Sequence, residues 1–278
     1  MPTTIRAKNP TILIASLLLA TGLTATGPAA AMADDTMQTR DAALPTSIVN
    51  GDFEYLSDSL LAYATDTWNF TNVDPATGDV NSTDGADGWH HITGFDASSF
   101  GWESSQTDTA VNGRAGIVEI QQSRDESNTY AEITASQAGT YIYQDIDTQH
   151  PTESIYTVSL RHASRNVDHK DSLQVLIGPP GREQPVELTR IASDTGDPIG
   201  QSSTTVESTA WGWIGQWDTY EATVTIPAGQ PVTRFTFRSV NGASDVAGNL
   251  VDDISFEISY PLTYDLQGGN GIIPNKEQ

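Results

Sequence analysis

Along residues 219–226 every second side chain is apolar: Tyr220, Ala222, Val224 and Ile226 alternate with Thr219, Glu221, Thr223 and Thr225. A period of two puts one set on each face of an extended chain, so this segment reads as a half-buried antiparallel strand with a hydroxyl-rich outer face. The same period recurs in Tyr156/Val158/Leu160, Leu173/Val175/Ile177, Phe235/Phe237 and Ile254/Phe256/Ile258, and Ile142 with Ile146 marks a further inward face. Turn chemistry separates the runs: Gly178-Pro179-Pro180-Gly181, Asp194-Thr195-Gly196-Asp197-Pro198, Pro227-Ala228-Gly229 and Asn241-Gly242. Beyond residue 33 no long window carries a helical stripe. Many short strands with Gly/Pro turns predict an all-β sandwich.

The N-terminus has a different pattern. Arg6 and Lys8 precede a short apolar run from Ile12 to Leu19, and small residues lead to Ala31-Met32-Ala33 before Asp34-Asp35. This is the pattern of a secretory signal peptide over residues 1–33 with an A-x-A cleavage site. A membrane anchor needs about 18–20 unbroken apolar residues, and Thr21, Gly22, Thr24 and Pro28 interrupt this run. The expectation is therefore export, a mature start at Asp34, and no membrane insertion after cleavage. Residues 34–46 are polar and aperiodic, and read as a flexible lead-in.

The chain has no cysteine. Disulfides and thiolate–metal chemistry are excluded, so an apolar core must hold the fold. The formal net charge is −23, and loss of Arg6 and Lys8 with the leader makes it more negative still. Such a field repels phosphate backbones, which argues against nucleic acid as a partner. It favours solubility and the binding of divalent cations.

Two motifs bracket most of the chain: Ile48-Val49-Asn50-Gly51-Asp52-Phe53-Glu54, and Gly248-Asn249-Leu250-Val251-Asp252-Asp253-Ile254-Ser255-Phe256. Together they resemble the first and last strands of the galactose-binding-like jelly roll, a fold of many carbohydrate-binding modules and bacterial cell-surface proteins. The resemblance covers about residues 47–260. It implies a jelly-roll β-sandwich and a binding or adhesion module rather than an enzyme. It also implies a structural calcium near those strands, at positions matching Glu54 and Asp252. Asp252 shares parity with Ile254 and Phe256, which predicts an inward side chain. A buried carboxylate must be paired, hydrogen-bonded or metal-bound, and calcium takes six to eight oxygens from such groups. The alternative is that Asp252 only accepts backbone N–H bonds. Residues 260–271 resemble the opening of an internalin-type B repeat (the Listeria–Bacteroides repeat), so 261–278 is expected to be a truncated repeat or else a glycine-rich terminal strand.

Residues 71–104 and 192–218 read as long irregular stretches, and such loops are often functional. The first holds Trp89, His90, His91 and Trp102; the second ends in Trp211-Gly212-Trp213-Ile214-Gly215-Gln216-Trp217. Exposed aromatics stack on sugar rings while neighbouring polar groups bond the hydroxyls. Trp211, Trp213 and Trp217 would share one face of an extended segment. With Trp89 and Trp102 they are the expected ligand-binding residues, against the alternative that each fills the core. An acidic set, Asp74, Asp79, Asn81, Asp84 and Asp87, lacks the order of a calcium loop and reads as turn chemistry.

No GxSxG elbow, HExxH or phosphate loop is present, and no catalytic residue can be nominated. Adjacent His90 and His91 would point to opposite faces of a strand, which argues against joint metal ligation. Glu132, His162, Arg165 and Asp171 could form a polar network. The reading that results is an exported, non-catalytic, adhesin-like module of a bacterial cell surface, with a glycan or a host or cell-wall ligand as partner. A structural spacer and, behind it, a polysaccharide-active enzyme remain as alternatives. Exposed clustered aromatics would favour binding, and two carboxylates facing each other in a cleft would favour the enzyme.

Overall fold

The computed structural model describes residues 43–64, 69–81, 88–109, 113–134, 137–244 and 246–259. The expected signal peptide, most of the lead-in and the B-repeat-like tail lie outside them.

In chain order the strands are β1 (Phe70–Asp74), β2 (Asp79–Asn81), β3 (His90–His91), β4 (Glu103–Ser104), β5 (Val118–Gln122), β6 (Thr129–Glu132), β7 (Tyr141–Asp147) and β8 (Ser154–Ser164). They continue as β9 (Asp171–Gly178), β10 (Gln184–Pro185), β11 (Leu188–Ser193), β12 (Ser202–Ser203), β13 (Val206–Ser208), β14 (Asp218–Ile226), β15 (Val232–Asn241) and β16 (Asn249–Ile258). Two short helices, α1 (Ser57–Leu61) and α2 (Ala97–Phe100), and a 3-10 turn at Gly212–Ile214 complete the described elements.

The strands form two antiparallel sheets. The larger has the order β12-β11-β14-β8-β16-β6-β5-β1-β2-β3, and the smaller β10-β9-β15-β7-β4, with β13 paired to β9. The long strands β7, β8, β9, β14, β15 and β16 fall alternately in the two sheets, which is the winding of a jelly roll. The alternation read from the sequence sets the packing. Tyr220, Val224, Val158, Leu160, Phe235, Phe237, Val175 and Ile142 all lie in one apolar core between the sheets.

The stretch 71–104 is not the irregular loop expected: it supplies β1, β2, β3, α2 and β4. Its Asp, Asn and Gly residues concealed short edge strands, with the β1–β2 hairpin closing through Asp74 and Asp79. Residues 192–218 likewise contain β12, β13 and the 3-10 turn.

A second, smaller apolar cluster sits on the opposite face of the large sheet. Tyr130, Ala163, Ala210, Trp217 and Leu250 are buried together there. The 209–217 segment covers this face closely: a Cβ on Gly212 would lie 2.6 Å from Leu250 Cδ1. At the other motif, a Cβ on Gly51 would lie 1.9 Å from the Ile254 carbonyl oxygen, so glycine is required where the first motif crosses the last strand.

Candidate functional site

The five expected ligand-binding tryptophans separate into two groups. Trp102 is 1% exposed, stacked on Phe53 at 5.1 Å between ring centroids, and its indole N–H donates to the Asn50 carbonyl at 2.8 Å. Trp217 is buried edge-on against Tyr130. Both rings are core residues and offer no open face to a ligand. Trp89, Trp211 and Trp213 are only partly covered. The shared face expected for Trp211, Trp213 and Trp217 does not form, because the chain turns in a 3-10 helix at Gly212–Ile214 instead of running extended. Trp211 donates its indole N–H to the Arg165 carbonyl at 2.9 Å, and the Trp213 carbonyl accepts from Arg124 N at 2.8 Å.

Trp89 belongs to an ordered surface cluster at the β1–β2–β3 edge. The Arg114 guanidinium lies over its ring, 4.2 Å from the centroid. One Arg114 nitrogen also reaches Asp74 Oδ2 at 2.8 Å and Asp79 Oδ2 at 2.9 Å. Asp79 is opposite His91 in the β2–β3 ladder and lies 3.0 Å from its Nδ1. His90 points elsewhere, as adjacent strand residues should, and stacks on Tyr63 with centroids 4.1 Å apart and ring planes 8° apart. Tyr63 is 40% exposed. The Trp89 ring, a guanidinium and two carboxylates are therefore held together on one face of this edge before any ligand arrives, while the Tyr63–His90 stack lies on the face of Val80. The sequence singled out Trp89 here but not Arg114, which lies 25 residues further along the chain.

Between this edge and the Trp211–Trp213 turn, the outer face of the large sheet carries a sealed polar network. Glu119 and Glu132 are directly opposite each other on β5 and β6, 1% and 0% exposed. Arg165 reaches both, pairing closely with Glu132 and lying 3.4 Å from Glu119. Gln121 donates to both carboxylates as well, at 2.6 Å to Glu119, and Gly248 N donates to Glu132 at 2.6 Å. Burial raises the carboxyl of Glu119 above its ordinary range despite Arg165. Glu132 is raised well above, by burial and then by the charge of Glu119. Two carboxylates that cannot both ionise freely are thus tied to one guanidinium. At 1% and 0% exposure, neither carboxylate is open to solvent in this arrangement. Asn72, next in the row on β1, is buried with neither amide atom bonded.

The four-residue network expected from the sequence is split. Glu132 and Arg165 pair on the outer face. Asp171 accepts from Ser164 Oγ at 2.8 Å and Arg165 N at 3.1 Å, and lies 2.6 Å from His169 Nδ1, so it fixes the turn after β8. His162 faces inward and meets Asn249 Oδ1 at 2.8 Å. Glu119 and Gln121 were missed, although their alternation with Val118 and Ile120 was the signal available.

Asp252 is buried at 0% exposure, but its expected inward orientation is wrong. Asp252 pairs with Arg161 and Ser255 with Ser159, so three steps on β16 match two on β8. The additional residue is a bulge at Asp253, whose φ is 45°. It flips the parity, putting Asp252 on the face of Leu250 and away from Ile254. Burial raises the Asp252 carboxyl to about 7. Its Oδ2 accepts from Asn128 Nδ2 at 2.9 Å and its Oδ1 from Asp253 N at 2.8 Å. Glu54 Oε1 accepts from the adjoining Thr129 N at 2.8 Å. Glu54 and Asp252 are thus anchored to consecutive residues of one hairpin. Among the described residues no three His, Asp or Glu side chains form a ready metal-ligand group. Asp252, with no cation paired to it among the described residues, and Glu54, bonded to the next residue of the same hairpin, are oxygen donors of the kind calcium takes, with backbone carbonyls to complete the shell.

No family model and no curated protein matches the chain. Among solved structures, it is similar to CBM35 from Cellvibrio japonicus Abf62, with 16% identity, 47% of this chain and 72% of that chain covered, and a TM-score of 0.29. The C-terminal CBM6 of LamC, a marine laminarinase from Zobellia galactanivorans, gives 15%, 50%, 87% and 0.30. The CBM6cm-2 module from Cellvibrio mixtus lichenase 5A, in complex with cellotriose, gives 18%, 50%, 86% and 0.30. Superposition this loose carries no ligand or site across, and the functional reading rests on this chain's own surface.

Proposed function

We propose that this chain is an exported carbohydrate-binding module of a bacterial cell envelope, acting as a non-catalytic adhesin-like domain. The observation that carries the reading is the surface cluster of Trp89, Arg114 and His91 with Asp74 and Asp79. Rings stack on the apolar faces of pyranoses, and the carboxylates and guanidinium bond ring hydroxyls. Their mutual contacts hold the side chains in place, so little ordering is required on binding. Trp211, bridged to Ser164 at the end of β8, is also partly exposed and is a second aromatic candidate. The partner is a glycan on a host or cell-wall surface. Glu54 and Asp252 hold a structural calcium at the junction of the first and last motifs.

The test is a glycan array probed with the purified protein, calcium present, followed by titration of any hit against Trp89→Ala and Arg114→Gln. Saturable binding weakened by both supports the reading. Binding untouched by both, or no binding by a folded protein, rejects this site and favours a spacer.

A further inference from the structure

We infer a second binding site, for a small amphiphilic carboxylate, in the cleft where the two sheets part. The cleft arises from the topology. β11 pairs with β14 only as far as Thr189 opposite Glu221, so beyond Glu221 β14 keeps β8 as its partner strand on one side alone. The chain between β9 and β11 stays with the other sheet as the β9–β10 hairpin. A cleft of about 330 Å³ opens between that hairpin and the end of β14.

Its lining matches a ligand of two parts. Ile177, Val186, Val224 and Ile226 form the floor. Ile177 and Val224, at 7% and 8% exposed, are among the least covered members of the main core, whereas most of its residues are wholly enclosed. The core therefore reaches the floor of the cleft here. The rim is polar: Arg182, Gln184 and Gln230. Arg182 has no ion-pair partner among the described residues. Its neighbour Glu183 turns away, accepting from Gly181 N at 3.0 Å and lying 3.7 Å from Arg234 Nε. In a chain this acidic, an exposed unpaired guanidinium over an apolar floor is complementary to an acid with a short hydrocarbon body. Ligand sites of this size are mostly apolar with a few placed polar groups, and a guanidinium grips a carboxylate through two parallel N–H bonds. The cleft shares no residue with the aromatic cluster, so the two sites stand or fall separately.

The test uses hexanoate as probe, with hexan-1-ol as the uncharged control, followed by methyl NMR of the full chain. Saturable shifts at Ile177, Val186, Val224 and Ile226, about tenfold weaker for hexan-1-ol and for Arg182→Gln, are expected. Arg182 is exposed, so the variant should fold, and Arg182→Lys should restore part of the affinity. Absence of saturable shifts, shifts centred elsewhere, or equal affinity for hexanoate and hexan-1-ol would overturn the inference.

Discussion

Arg161 stands opposite Asp252 in the β16–β8 ladder, yet its guanidinium pairs with Asp253, Nε to Oδ2 at 3.0 Å. The bulge that turns Asp253 outward toward Arg161 leaves Asp252 buried with an amide and a backbone N–H as partners. A carboxylate so placed has no positively charged group paired with it among the described residues.

Calcium would supply it. Chelation should lower the melting midpoint, because a ligand bound only by the native state stabilises it by about 2.7 kcal/mol at a hundredfold excess over Kd. For a domain of this size that corresponds to a shift of roughly 5–10 °C. Asp252→Asn should melt at the same temperature with and without calcium. Equal midpoints for the unmodified protein in calcium and in chelator would remove the metal from the account.

Among the described residues, Arg165 is the one cation paired with the two buried acids Glu119 and Glu132. Arg165→Met should destabilise by about 3–5 kcal/mol, the usual effect of stranding a buried charge. The loss should shrink as pH falls toward 4, since burial already raises both Glu119 and Glu132 and protonation relieves them. Urea unfolding at pH 7.5 and 4.5 measures it. A pH-independent loss would mean that packing, not charge, links the three residues.

His162 gives acid sensitivity of the opposite sign. Burial pushes its imidazole down to about 3. The unfolded chain takes up this proton near pH 6.5 and the native chain does not until about 3. The stability it contributes is therefore complete above pH 6.5 and is lost as pH falls through that window, by at most about 1.4 kcal/mol per pH unit. His162→Gln keeps a donor for Asn249 and should flatten that part of the profile. If the slopes of the two proteins coincide between pH 6 and 4, His162 is not the source.

The tryptophans divide by burial. Trp102→Ala should destabilise by about 3–5 kcal/mol through the cavity it leaves. Trp89→Ala should change stability little and weaken glycan binding by about three- to tenfold, the range of one aromatic contact. Thermal melts and binding isotherms of the two variants, compared side by side, separate the roles. A large stability loss in Trp89→Ala would place that ring in the fold rather than in the site.

The alternation of Tyr220, Ala222, Val224 and Ile226 was legible because strand periodicity is local, and the all-β sandwich follows from it. The joining of the two end motifs was legible too: Gly51 meets Ile254 as the resemblance implied. Position within a face was not. Trp89 and Trp102 are equally aromatic, and only the packing of Phe53 on one and Arg114 on the other separates core from surface. Likewise Glu119 is an ordinary outward strand acid until β6 and the turn after β8 bring Glu132 and Arg165 against it.

What the sequence determined by itself was therefore the class of fold, the inward and outward faces of its long strands, and the absence of disulfide and thiol chemistry. These depend on residues one or two apart. The tertiary structure alone decided the orientation of Asp252, the sealing of the Glu119–Glu132–Arg165 network and the assembly of Trp89 and Arg114 with Asp74 and Asp79. Each depends on strands distant in sequence lying side by side, or on one bulged residue reversing the parity that local pattern predicts.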